Sequence, residues 1–165
     1  MKPGLYVIGT PIGNLGDITK RAEETLSAVD FILAEDPRHS GTMIKRLDIF
    51  KPMLSCHNFN DASRAEYVVN KIKAGSRFAL ISSAGMPGIS DPGSRIVSAC
   101  RAENLYVTVV PGASAVISAL SISGLDTQKF MFEGFLPVKP GKKKKRLQEL
   151  ADLPYPIVIY ESPYR

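Results

Sequence analysis

"ALISSAGMPGISDPGSRI", residues 79–96, is the stretch that decides the fold. A short apolar run over 78–81 has the length and bounds of a buried strand. It breaks into a loop holding Gly85, Gly88 and Gly93 together with Pro87 and Pro92, and an apolar pattern then resumes at Ile96, Val97 and Cys100. Proline fixes φ, whereas glycine permits positive φ and close approach of another body to the backbone. A loop held at so many positions is shaped, and a shaped loop after a strand is a place to hold something. Asp91 before Pro92 reads as an N-cap and first helical residue, so the end of the loop should open the next helix.

Outward from this unit the same rhythm recurs. "LYVIG" (5–9), "FILAE" (31–35), "MLSC" (53–56), "RFALIS" (77–82) and "YVTVV" (106–110) are strand candidates. Helical patterns lie between them. Ile18, Ala22, Leu26 and Val29 share one face, with Asp17 or Thr19 as cap, and Met43, Ile44 and Leu47 share another behind an Asp36–Pro37 start. Ala65, Val68, Val69 and Ile72 form a third face over 61–74, stopped by Gly75. Short strands alternating with helices predict an α/β fold with a mostly parallel five-stranded sheet flanked by helices.

A helix over 114–123 follows, closed by Gly124, and the pattern then restarts with "FMFEGF" (130–135), a helix from about 144 to 151, and "IVIY" (157–160). The expected organisation is an N-terminal α/β domain over 1–112, then a linker helix and part of a second α/β domain over 113–165.

The 165 residues carry a net charge of +5, and its location matters more than its size. "KPGKKKKR" (139–146) holds six of the 21 basic residues and no acid, and the remainder has 15 basic against 16 acidic residues. The basicity is a local patch. It reads either as a solvated loop leading into a helix or as a contact for a polyanion such as RNA. Lys142, Lys143, Lys144, Lys145 and Arg146 are the candidate contacts. No secretory h-region follows the N-terminal methionine and no apolar run reaches membrane-spanning length. Cys56 and Cys100 match no metal or redox spacing, and with only His39 and His57 besides, no metal site is expected. These features suit reduced thiols in a cytoplasm.

In an open parallel sheet, ligands bind outside the carboxyl ends of the strands. "TPIGNLGD" (10–17), "EDPRHS" (35–40), "SAGMPGISDPG" (83–93), "PGAS" (111–114) and "ESPYR" (161–165) all fall at such ends. Gly9, Gly13 and Gly16 fit neither the dinucleotide fingerprint nor the P-loop, which makes a nucleotide-dependent oxidoreductase a poor reading. "AEDPRHS" places Glu35, Asp36, Arg38 and His39 at one strand end. Glu35 is either a base or a carboxylate paired with Arg38, Asp36 is a base or a helix cap, and His39 is a base, the role imidazoles most often take, or a plain surface residue.

Six motifs then occur in one order: "LYVIGTPIGNLGDIT", "ILAEDPRHS", "AGMPGISDPG", "PGASAVISALSISGL", "FEGFLP" and "YESPYR". Over 5–165 the sequence resembles the branch of the tetrapyrrole-methylase superfamily that methylates ribosomal RNA. The resemblance implies two α/β domains with S-adenosylmethionine in the cleft between them. It implies transfer of a methyl group to the ribose 2′-hydroxyl of a cytidine in 16S RNA of the 30S subunit, and a homodimer. By motif it places the cofactor near Pro11, Ser83, Gly85, Met86, Ser114, Ala115, Tyr160 and Glu161. Arg38 and Arg165 join the lysine run as RNA contacts. Two positions depart from the family pattern. Ser83 stands where an aspartate is usual, and Pro37 where a threonine is usual. Family members also continue beyond "YESPYR", so the second domain is expected to be incomplete here. The rival readings are a corrin-precursor or diphthamide-pathway methyltransferase, and a non-catalytic ribosome-binding factor with an impaired donor site.

Overall fold

A computed structural model of the chain describes residues 1–57 and 61–162, without the side chains of 61 and 62. It divides into two compact units, Met1–Ser114 and Ala115–Arg165.

The first unit is built on five strands, β1 (Gly4–Ile8), β2 (Phe31–Ala34), β3 (Met53–Ser55), β4 (Arg77–Ile81) and β5 (Val107–Val110). All pair in parallel, in the order β3-β2-β4-β1-β5. The connecting helices are α1 (Lys20–Ala28), α2 (Pro37–Arg46), α3 (Asp61–Lys73) and α4 (Ser94–Ala102). Parallel strands must be covered on both faces, which is why β1, β2 and β4 read as continuous apolar runs. Tyr6 and Ile8 pack with Ala22 and Leu26 of α1, with Val29 just past its end, and with Ile44 of α2. Leu5, Phe78 and Leu80 pack on the opposite face with Val68 and Ile72 of α3 and Ile96 and Cys100 of α4. Phe78 is fully buried and stacks on Phe31 at 4.9 Å between ring centroids. The amino ends of β2 and β4 are tied by Asp30, which accepts from Arg77 Nη2 at 2.6 Å, Nε at 3.0 Å and the backbone N at 2.8 Å. That guanidinium holds the Asp30 carboxyl below its usual range. Cys56 and Cys100 are free and buried, and burial pushes the Cys100 thiol up to about 11.

The expected strands and helix faces recur within a residue or two, and Thr19 rather than Asp17 caps α1, accepting from Ala22 N at 3.1 Å. Two expectations need correction. Asp91 does not cap α4. The cap position is Gly93, at φ 115°, and α4 begins at Ser94. A side chain at 93 would meet Leu80 Cδ2 at 2.8 Å, so the chain crosses Leu80 in a conformation suited to glycine before it can turn helical. The basic run is not a loop before a helix. It lies inside one, as Pro140 occupies the first turn of a helix capped at Lys139.

The second unit holds α5 (Ala115–Ile122), β6 (Met131–Phe135), α6 (Pro140–Ala151) and β7 (Ile157–Tyr160). Strands β6 and β7 pair in parallel, with a register shift between Phe132 and Gly134, and α6 is their crossover. Arg146 fastens α6 to β6, donating to both oxygens of Glu133 at 2.6 and 2.7 Å, and it also donates to Glu149. Lys143, one turn earlier, pairs with Glu161 at 2.7 Å. No helix among the described residues is long and apolar enough to cross a membrane.

Candidate functional site

Strand order fixes where a ligand fits. The connection leaving β1 runs toward β2 and β3, whereas the one leaving β4 runs the other way, to β5. The crevice of an open α/β sheet opens at the carboxyl ends of such a pair, so here it lies between the loops after β1 and β4. The two loops are joined there. Thr10 and Gly85 form an isolated antiparallel bridge, with N–H···O distances of 2.9 and 3.1 Å. The buried Thr10 hydroxyl lies 3.3 Å from the carbonyls of both Ser82 and Gly85, and the Ser82 hydroxyl lies 3.2 Å from the Gly85 carbonyl.

The loop after β5 closes in from the other side of β1. A Cβ on Gly9 would stand 2.6 Å from Met86 Sδ and 2.7 Å from Gly112 N, and one on Gly112 would stand 2.9 Å from the Gly9 carbonyl. Glycine is required at both places because two backbones touch. Gly85, at φ 78°, presents its backbone beside Ile12 and the Ala113 carbonyl. Pro11, Ser83, Gly85, Met86 and Ser114 therefore sit on three adjoining strand ends of the first unit. Ala115, which opens α5, and Tyr160 and Glu161, which end β7, belong to the second unit. The Tyr160 ring packs edge-on against Phe132 and Phe135.

A hollow of about 470 Å³ opens beside the bridge. Pro11, Ile12 and Leu15 line it from the β1–α1 loop, His39, Thr42, Met43 and Arg46 from α2, and Ser83 from the end of β4. Its volume is within the usual range for a small-molecule or nucleotide site. Behind Ser83 stands a carboxylate pair. The Ser83 hydroxyl makes a long hydrogen bond of 3.4 Å to Glu35 Oε2. Asp91 is pushed up to about 6, first by burial and then by the negative charge of Glu35. The Asp36 carboxylate has another task, since it caps α2 by accepting from Arg38 N at 2.8 Å. Arg38 is exposed, and Arg165 lies outside the described residues.

Sequence reasoning misses Asp91 as a partner of Glu35, and Thr42 and Arg46 as walls of the hollow. The His39, Thr42, Arg46 spacing of three and four residues is the signal that marks one helix face. Which face meets the site is decided by the β1–α1 loop.

A pH dependence follows from Asp91. Its raised pKa means the folded protein keeps a proton that the unfolded chain releases near pH 4. The group's contribution therefore falls as pH rises from about 4 through 6, and the loss is complete above that. Asp91→Asn should stabilise the protein on the order of 2 kcal/mol at pH 7.5, after allowance for solvent screening, and leave it unchanged near pH 4. Urea melts at both pH values read this directly, and an equal difference at the two would refute it.

The fold is shared by a family named for its methylases. The chain is a member of the tetrapyrrole (corrin/porphyrin) methylase family, whose model matches residues 4–165. More narrowly, it is 48% identical over 161 residues to the ribosomal RNA small subunit methyltransferase I of Synechocystis, covering 98% of this chain and 58% of that protein. It is 47% identical over 161 residues to the protein of that name from Haemophilus influenzae, covering 98% of this chain and 57% of the relative. The Xylella fastidiosa counterpart is 46% identical over 164 residues, covering 99% and 60%. The chain thus spans somewhat over half the length of these curated relatives. Among solved structures, uroporphyrin III C-methyltransferase from Thermus thermophilus superposes with a TM-score of 0.65 at 18% identity, over 98% of this chain and 71% of that one. This likeness concerns the fold.

Proposed function

We propose that the protein of which this chain is part is an S-adenosylmethionine-dependent methyltransferase acting on a cytidine ribose 2′-hydroxyl in 16S RNA of the 30S subunit, as a cytoplasmic homodimer. The observation that carries the reading is the triple junction of loops at Gly9, Gly85 and Gly112, backed by relatives that bear the name of an RNA methyltransferase.

The junction fits a nucleoside without phosphate better than a phosphate. It offers the half-buried backbone of Gly112, the thioether of Met86 and few cations. Pro11, Ser83, Gly85, Met86 and Ser114 would hold the donor from the first unit, and Ala115, Tyr160 and Glu161 enter by resemblance. When bound, S-adenosylmethionine supplies a methyl carbon on a positively charged sulfur. The chain's own task is to position the acceptor hydroxyl and to take its proton. Glu35 is the base this geometry favours, because Ser83 links it to the hollow and Asp91 stands beside it. His39 borders the same hollow and is the runner-up.

Ser83 replaces the carboxylate usual in this family. Restoring it with Ser83→Asp should tighten donor binding about tenfold, the worth of one charge-assisted hydrogen bond. Calorimetric titration of both forms checks this, and matching affinities would show that position 83 does not touch the donor. The function itself is tested by incubating the full-length protein with labelled donor and 30S subunits and mapping the product. One 2′-O-methylated cytidine in 16S RNA is expected. Label on a corrin precursor would move the protein to another branch, and binding of 30S subunits without transfer would make it a ribosome-binding factor.

A further inference from the structure

Helix α2 carries Arg38, His39, Lys45 and Arg46 and no acidic residue. His39, Thr42 and Arg46 recur at helical spacing on the face that lines the hollow, with Met43 beside them. Three other arginines have internal partners: Arg64 donates to the Ser55 carbonyl, Arg77 is held by Asp30, and Arg146 by Glu133 and Glu149. Among the described residues no acid is paired with Arg46. Opposite this cationic face the β1–α1 loop supplies apolar Ile12 and Leu15. Apolar side chains sharing a hollow with a guanidinium that has no internal anion suit a nucleotide, with the base or sugar against the apolar side and the phosphate on the arginine.

We infer that this hollow receives the acceptor nucleotide, with Arg46 binding a phosphate next to the target ribose. The inference rests on the proposed function and adds the place and the ligand of the RNA strand. Position supports it. Pro11 and Ser83 line the hollow and also adjoin the loop junction assigned to the donor, so the two reactants would lie side by side. Transfer between two bound molecules requires that adjacency.

The test is binding of 30S subunits by the full-length protein in the absence of donor, across a salt series. Arg46→Gln should weaken binding about tenfold near 0.15 M salt and reduce the slope of log K against log salt by about one phosphate contact. Arg46→Lys should keep the slope. Donor affinity should be the same in all forms. Arg101→Gln, on α4 across the sheet, controls for loss of charge at large and should change little. Unchanged binding in Arg46→Gln, an equal loss in Arg101→Gln, or a fall in donor affinity instead would each overturn the inference while leaving the function standing. A wild-type protein that does not bind 30S subunits would overturn both.

Discussion

Gly9→Ala should cost about 3 kcal/mol of stability and remove donor binding. The new Cβ would lie 2.6 Å from Met86 Sδ, 2.7 Å from Gly112 N and 2.8 Å from Gly112 Cα. A methionine sulfur at the end of a flexible side chain can move aside. The Gly112 backbone follows directly from β5, which is hydrogen-bonded to β1 along its length, so it can move only by separating the loops that make the junction. A shift of about 1 Å in such a place is worth about a hundredfold in rate. Gly141→Ala is the matching control, since that position lies in α6 with nothing within 4 Å of the added carbon. Denaturant melts and donor titration of the two variants give the comparison. A Gly9→Ala protein with normal stability and normal donor affinity would mean that the junction is not a constrained site.

Glu35→Gln should reduce methyl transfer by about a hundredfold or more at saturating donor and RNA, the range set by loss of a general base. Donor and RNA affinities should stay near their original values, because the amide keeps the shape and can still accept from Ser83. The variant should also bring Asp91 down from about 6, since Glu35 supplies part of its upward shift, while burial keeps it above the ordinary carboxylate range. His39→Asn is the discriminating partner experiment. If it abolishes transfer and Glu35→Gln does not, the base is the histidine on the hollow wall, and the carboxylate pair is structural.

The five strands were legible because each is a short, largely apolar run bounded at one end or both by glycine, proline or a charged residue, and the helix faces because their apolar residues repeat at three and four. What a local pattern cannot carry is the tertiary obstacle. Asp36–Pro37 and Asp91–Pro92 look alike as dipeptides. The first caps a helix, and the second does not, because the chain must first cross Leu80 at Gly93. The basic run misled in a different way. Its lysines are good helix formers, and Lys143 and Arg146 reach Glu161 and Glu133, partners that come together only when β6 and β7 pair. Lys142, Lys144 and Lys145 are left on the exposed side of α6. The site followed the same rule. Its motifs stood out one by one, but the neighbours of Glu35 depend on β2 lying beside β4, and the role of Arg46 depends on α2 facing the β1–α1 loop.

The most direct measurement is a crystal structure of the full-length protein with S-adenosylhomocysteine, the demethylated product of the donor. The nucleoside should rest on Gly85 and Met86 at the β1–β4 crevice, with its sulfur directed toward the hollow bordered by Pro11 and Ser83. Density for it at any other place, with that crevice closed by its own side chains, would contradict the account.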